Sequence, residues 1–283
     1  MPELPEVETI RRQLAPQLEG RTLERVEILD PRWTRPLAPA EVEEQLRGHR
    51  VDRVGRSGKY LVWELDDETF LLAHLRMTGA FLLDPDVEPL HTRVRIELDG
   101  GHRLIYVDPR RFGTGEVVHG ERARDEFLRA RLGVEPMTPE FTADYLRSAT
   151  RGRTAPIKSF ILDQRRISGV GNIYADEALW RAKIHPLRPA GSLRGGQFEA
   201  LRAGIEDALE AGIDAKGASI DDFRHLDGAY GSFQDRFLVH LRAGEPCVRC
   251  GTKIRKIVVG GRGTYVCEHC QPRPRVRRKP VPA

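Results

Sequence analysis

Apolar residues recur at helical spacing near the start of the chain, where Val7, Ile10, Leu14 and Leu18 fall on one stripe. Pro5 suits the beginning of that helix and Gly20 its end. The period then changes. Residues 22–29, 60–65, 69–74, 93–98 and 103–107 are apolar or alternating and rich in Val, Ile, Leu and aromatics, the pattern of short strands. Asp99-Gly100-Gly101 reads as a hairpin turn, and a short helix at 39–48 interrupts the series. These elements predict a β-sandwich or barrel. Two prolines and a glycine between residues 131 and 139 predict a linker. Beyond it the helical period returns at about 139–149, 156–164, 172–182 and 196–211. No repeat of 20–50 residues is present, and only the Pro/Arg-rich end is of low complexity.

A chain of 283 residues is expected to form about two domains. No apolar run approaches the ~20 residues of a membrane helix, so no membrane partner is expected. The start lacks a basic-then-apolar leader, which predicts a cytoplasmic protein. The net charge of +4 hides an asymmetry: from Cys247 onward there are ten Lys/Arg and one acid, giving +9, and the remainder carries −5. A basic module on a mildly acidic body fits a polyanionic partner, although residues 273–279 alone would pass for a solvated tail.

All four cysteines lie in that module. Cys247-Val248-Arg249-Cys250 and Cys267-Glu268-His269-Cys270 are two CxxC knuckles separated by sixteen residues. Such a pair closes a tetrahedral four-thiolate site, so one structural Zn²⁺ is predicted, with redox cysteines as the alternative. Four protein ligands leave no open position for catalysis by the metal. Residues 254–259 and 264–266 read as strands around the turn 260–263, a zinc β-hairpin. Arg262, set among three glycines, can approach a phosphate closely, or it can be an exposed turn arginine. Ser168-Gly169-Val170-Gly171-Asn172 joins two helices, with Arg153 and Lys158 on the preceding segment. Asn172 is expected to cap the second helix, whose first N–H groups would face an anion. A plain tight turn would have the same sequence, and both readings stand.

The first residues carry a second possibility beside the start of a helix. If Met1 is removed, Pro2 becomes a terminal secondary amine held in a ring. An α-amino group titrates well below a lysine, so it is partly nucleophilic near neutral pH. Attack on a sugar C1′ or a carbonyl carbon would give an iminium. Glu3, its neighbour, could supply a proton. The bland reading makes the glutamates first-turn acids of the helix.

Met1-Pro2-Glu3-Leu4-Pro5-Glu6-Val7-Glu8, then Gly169-Val170-Gly171-Asn172-Ile173-Tyr174-Ala175-Asp176-Glu177, then the four-cysteine hairpin occur in that order. Together they resemble the bacterial formamidopyrimidine-DNA glycosylases over nearly everything to Gln271. The resemblance implies an α+β protein with an N-terminal β-sandwich domain flanked by helices, a helix–two-turn–helix domain and a four-cysteine zinc β-hairpin finger. On this chain the domains become 1–133, a linker at 134–140, 141–244, 245–271 and a basic disordered tail at 272–283. Double-stranded damaged DNA is the implied partner, held in the cleft between domains with the damaged base flipped out. The implied activity is a bifunctional glycosylase and lyase that removes 8-oxoguanine and formamidopyrimidines and cleaves the strand by β,δ-elimination. No organic cofactor is expected, and the implied form is a monomer that works on the bacterial nucleoid.

Carried over residue by residue, Pro2 becomes the Schiff-base nucleophile and Glu3 the proton donor. Lys59 takes the lysine of β-elimination and Arg262 the phosphate-gripping arginine of δ-elimination. Met77, Arg110 and Phe112 become the trio that fills the vacated base position, a soft wedge, a planar cation and a ring being able to stack there. Core packing is the alternative for the Met and the Phe. His74, His91, Arg153, Lys158 and Asn172 fall where the family contacts the DNA backbone. Thr78 takes a base-pocket position, and residues 219–230 resemble the loop that caps the flipped base. Two other readings remain: an endonuclease VIII-type enzyme for oxidised pyrimidines, and a non-catalytic zinc-finger DNA-binding protein.

Overall fold

In the computed structural model the apolar stripe of the first residues lies wholly inside. Helix α1 (Leu4–Leu18) buries Leu4, Val7, Ile10, Leu14 and Leu18, and its second residue is Pro5, in the turn whose N–H groups lack helical partners. The structure describes residues 2–219, 226 and 228–274. Met1, most of the segment likened to a capping loop, and the tail from residue 275 lie outside the described residues. The chain divides into two compact units, one of residues 1–133 with 209–236, the other of 134–208 with 237–283.

The first unit holds eight strands: β1 (Leu23–Ile28), β2 (Val51–Ser57), β3 (Tyr60–Leu65), β4 (Thr69–His74), β5 (Ala80–Leu83), β6 (Thr92–Leu98), β7 (Arg103–Val107) and β8 (Thr114–His119). They form two four-stranded antiparallel sheets, β1-β6-β7-β5 and β2-β3-β4-β8. This is a sandwich, not a closed barrel. Its interior takes Val7, Ile10, Leu14 and Leu18 of α1 together with Val26, Trp33, Val54, Trp63, Phe81, Ile96 and Tyr106, and Val42 and Leu46 of α2 (Pro39–Leu46). Strand β6 alternates buried and open positions, whereas all six residues of β4 are buried. The reason is α3 (Glu121–Arg129), whose Phe127 covers Tyr60, Val62, Phe70 and Leu72 on the outer face of that sheet. A sheet buried on both faces reads as a continuous apolar run. Helix α3 itself hides in a highly charged sequence in which Phe127 is the one buried residue.

The second unit holds α4 (Ala143–Thr150), α5 (Ile157–Leu162) and α6 (Asn172–Arg181). Helix α7 (Gln197–Asp214) begins there and runs into the first unit. A two-stranded hairpin of β9 (Arg255–Val259) and β10 (Arg262–Val266) completes it. Arg262 is therefore the first residue of β10, opposite Val259, and the turn itself is Gly260-Gly261. Buried Gly204 on α7 has the carbonyl of Ala178 2.7 Å from where a Cβ would stand, so this helix crossing needs glycine.

Candidate active site and metal centre

Strand register gathers the predicted residues of the first unit at one end of the sandwich. Tyr60 pairs with His74 and His74 with Thr114, so the β2–β3 turn, the end of β4 and the start of β8 share an end. In the other sheet Ala80 and Thr92 both pair with Val107. The connections 75–79 and 108–113 cross between the sheets at that same end. Lys59, His74, Met77, Arg110 and Phe112 all lie on these pieces of chain, and His91 directly precedes Thr92.

Helix α1 points its N-terminus the same way. Gly20, just past its C-terminus, donates to the Val51 carbonyl (2.7 Å) at the start of β2. Glu8 meets Arg56, near the end of β2, at 3.1 Å. Pro2 and Glu3 are buried beside this end, and Glu3 is the N-cap of α1. Glu6 Oε2 accepts the Glu3 N–H at 2.8 Å, half of a reciprocal capping box, and Glu6 Oε1 accepts the Ala218 N–H at 2.8 Å. Glu6 was not among the sequence candidates, although the Glu-x-x-Glu spacing at a helix start is its signal. Glu8 accepts from Arg11, Arg12 and Arg56. Burial alone would raise its carboxyl, but the three guanidiniums prevail and lower it to about 2. Arg56 also donates to the Gly58 carbonyl at 2.9 Å, which ties α1 to the turn that carries Lys59.

His74 is buried and accepts the Arg76 N–H on Nδ1 at 3.0 Å. Burial, then the charges of Arg76 and Lys59, push it down to about 3. A neutral ring whose Nδ1 accepts carries its proton on Nε2 and can donate it there. Met77 and Phe112 are 36% and 52% exposed, so neither is a core residue. The Arg110 guanidinium stands 5.0 Å from the Phe112 ring centroid. His91 is exposed, with a left-handed φ of 69°, and its carbonyl accepts the Asp108 N–H.

Asp108, which sequence reasoning overlooked, organises the connection 108–113. Its buried carboxylate accepts the N–H groups of Phe112 (2.9 Å) and Gly113 (2.8 Å) and the Thr78 hydroxyl. Thr78 Oγ1 in turn accepts the Arg110 N–H at 3.2 Å. Thr78 thus spends its hydroxyl proton on Asp108. A Cβ at Gly79 or Gly113 would overlap the Tyr106 hydroxyl, so both segments close on that ring only as glycine.

In the second unit Gln164 shapes the Ser168–Asn172 turn by accepting the Gly169 N–H (2.9 Å) and donating to the Val170 carbonyl (2.7 Å). Gly171, not Asn172, is the N-cap of α6. Asn172 instead sends its side-chain amide to the Gly263 carbonyl at 3.1 Å, next to exposed Arg262. Lys158 corrects another expectation. It is 0% exposed, and its ammonium meets Asp176 (2.7 Å), the Thr264 hydroxyl (2.8 Å) and the Gly263 carbonyl (3.3 Å). A lysine enclosed this way holds the hairpin and has no reach to an outside phosphate. Arg153 is half-buried, its Nε on the Ala149 carbonyl at 2.7 Å.

The four cysteine sulfurs lie within 4.8 Å of one another, with Cys247–Cys270 at 3.9 Å and Cys250–Cys267 at 3.5 Å. A tetrahedron with Zn–S bonds of about 2.3 Å has edges near 3.8 Å, so the donor set fits Zn²⁺. The Trp180 indole N–H points at Cys247 Sγ (3.3 Å), an outer-shell donor of the kind that orients thiolate ligands. Gln271 locks the second knuckle by accepting the Cys267 N–H (3.1 Å) and donating to the Ile184 carbonyl (2.9 Å).

Comparison with known proteins gives three family matches: the formamidopyrimidine-DNA glycosylase N-terminal domain over residues 1–115, its H2TH domain over 132–224, and the zinc finger found in FPG and IleRS over 244–273. The chain is 43% identical over 275 residues to the formamidopyrimidine-DNA glycosylase of Chloroflexus aurantiacus, covering 96% of this chain and 98% of that one. Among solved structures, a Lactococcus lactis FPG variant in complex with Fapy-dG containing DNA superimposes with a TM-score of 0.90 at 36% identity. The wild-type Lactococcus lactis protein with oxidised pyrimidine containing DNA gives 0.88 at 35%. In both cases 96% of this chain and all of the other are covered.

Two substitutions test the geometry. Lys158→Ala leaves the Asp176 charge buried without its cation and is expected to cost about 3–5 kcal/mol in urea unfolding. The slope of DNA affinity against salt should stay unchanged, since no phosphate contact is lost. For His74 the folded value lies below the unfolded value of 6.5, so the unfolded state takes up the extra proton as pH falls. The wild type is therefore expected to lose up to about 1.4 kcal/mol per pH unit relative to His74→Gln from pH 6.5 down to 4.5, read by urea unfolding at each pH.

Proposed function

The chain belongs to the formamidopyrimidine-DNA glycosylase family, and on that premise we propose how it excises an oxidised purine from DNA. It is a DNA glycosylase for oxidised purines with a structural zinc finger. With Met1 removed, the Pro2 nitrogen attacks C1′ of a nucleotide swung out of the duplex, where that carbon is reachable. The C1′–base bond breaks as Glu3 delivers a proton to the sugar ring oxygen or the departing base. The Pro2 nitrogen loses its proton, the C1′–O4′ bond opens with the protonated ring oxygen leaving as the 4′-hydroxyl, and nitrogen and C1′ are then joined as an iminium. Lys59 draws off the sugar proton for β-elimination, and Arg262 holds the phosphate that leaves in δ-elimination. Water hydrolyses the remaining iminium, which frees Pro2 and releases the sugar carbons as an unsaturated aldehyde, so the products are the free base, that aldehyde and a one-nucleotide gap with phosphate on both ends.

Met77, Arg110 and Phe112 stand in the vacated position, and Arg110 offers donors to the orphaned base. His74 donates Nε2–H to a backbone phosphate, while His91 and Arg153 add outer contacts. Lys158 and Asn172 act through Gly263, setting the strand that begins at Arg262. The zinc ion, when bound to Cys247, Cys250, Cys267 and Cys270, supplies cross-linking of the hairpin. We infer a cytoplasmic monomer acting on the nucleoid, with the domain boundaries expected above for the DNA-binding parts. The observation that carries this reading is the gathering of buried Pro2, Glu3 and Lys59 at the sandwich end that also presents the exposed Met77, Arg110 and Phe112.

Borohydride tests it. The protein should become covalently trapped on a duplex containing 8-oxoguanine, with less product on a thymine glycol duplex. Pro2→Gly or a retained N-terminal extension should abolish trapping, and intact mass should show Met1 absent. Normal trapping by an N-terminally blocked protein would move the nucleophile to another amine, Lys59 first. Stripping the metal with a chelator should weaken duplex binding before the isolated sandwich chemistry is affected, read by titration of labelled duplex against the zinc-loaded protein.

A further inference from the structure

The three side chains assigned to the vacated base position sit on two separate segments, Met77 on residues 75–79 and Arg110 with Phe112 on residues 108–113. Neither segment is a strand or a helix. Side chains that enter a base step must oppose the free energy of unstacking, a few kcal/mol per step, and segments that order only on entry would add their own conformational entropy.

The two segments are joined by a relay inside the protein. The Thr78 hydroxyl donates to Asp108 Oδ1, and the same Thr78 oxygen accepts the Arg110 N–H at 3.2 Å. Asp108 Oδ2 accepts from Phe112 and Gly113, at 2.9 and 2.8 Å. Both residues are buried, and each neighbours a residue of the trio or contacts its backbone directly. The segments also converge on the Tyr106 hydroxyl, at Gly79 on one and Gly113 on the other. The far side is pinned separately: Arg111 holds Asp30 at 2.5 Å, and Arg93 donates to the Asp108 carbonyl at 2.9 Å. The Thr78 oxygen ties its own segment to two groups of the other, the Asp108 carboxylate and the Arg110 N–H, while Arg111 and Arg93 hold the far side, so this link can be cut without unpinning the loop from the sandwich.

We propose that Thr78 and Asp108 are a positioning pair that locks Met77 to Arg110 and Phe112, so that the trio enters the duplex as one preformed wedge. The inference rests on the gap-filling role given to the trio above. Its consequence is selective. Everting a stacked, paired nucleotide needs the wedge, whereas a nucleotide that has already lost its base needs it much less. Thr78→Val keeps the shape and removes the hydroxyl. It leaves the Arg110 N–H without its acceptor and Asp108 without one of its donors.

Single-turnover rates for Thr78→Val should show excision of 8-oxoguanine from a fully paired duplex falling about tenfold relative to cleavage of a preformed abasic site in the same duplex, the scale of one hydrogen bond to a charged acceptor. Thr78→Ser should restore the ratio. With 2-aminopurine opposite the lesion, the fluorescence rise that follows insertion should slow in parallel. Combined with Phe112→Ala, the Thr78→Val change should add little, because both act on the same wedge. Equal losses in both reactions, an unchanged ratio, or full additivity with Phe112→Ala would overturn the proposal. Asp108→Asn serves the same comparison should Thr78→Val fail to fold. A wild-type protein that forms no borohydride adduct would instead bring down the glycosylase–lyase course, and this inference with it.

Discussion

A carboxylate taken out of water has to be met by several donors, and the fold turns that requirement into scaffolding. Glu6, Asp108, Asp176 and Glu177 are four that do so by taking backbone N–H groups. Glu6 joins the first turn of α1 to Ala218. Asp108 holds the β7–β8 connection and reaches across to Thr78. Asp176 takes Lys158, His240 and the Tyr265 N–H, and Glu177 takes three consecutive N–H groups, from Leu238 to His240, at 2.9–3.0 Å. Irregular chain has no ladder to satisfy its N–H groups, and a carboxylate with about four acceptor positions replaces one. The start of α1 takes its shape from Glu6, and the connections 75–79 and 108–113 take theirs from Asp108.

The same economy of donors separates the surface from the interior among the basic groups. Arg262 and Arg110 remain exposed, whereas Lys158 is consumed internally and Arg56 is committed to Glu8 and Gly58. Local sequence does not distinguish these cases. What distinguishes them is the partner brought up from elsewhere: Asp176 lies eighteen residues from Lys158 and Thr264 more than a hundred.

Much of the architecture could be read from periodicity. The helix stripe from Val7 to Leu18, the strands from Tyr60 to His74 and the paired knuckles all announce themselves, because each depends on spacing within one element. The cysteine cluster likewise follows from its own spacing. The helix over residues 121–129 escaped because its burial rests chiefly on Phe127. Asn172 was expected to cap α6, yet Gly171 does so, because the Asn amide finds a carbonyl in the finger ninety-one residues away. Lys158 was assigned an outward role for a related reason: its partners come from long-range packing that no local pattern encodes. Asp108, flanked by Pro109 and two arginines, gives no sign in one dimension that it is the hub of a loop.

Because the sandwich presents its chemistry at one end, its opposite end is under a different regime. The β3–β4 turn at Asp66-Asp67 and the β6–β7 turn at Asp99-Gly101 lie a full strand length from Lys59 and Arg110, and they bear no part of the wedge or the terminus. Peptide inserted there would lengthen the molecule away from its working edge. That distal rim is where an engineer should attach a label, away from the residues proposed to do the chemistry.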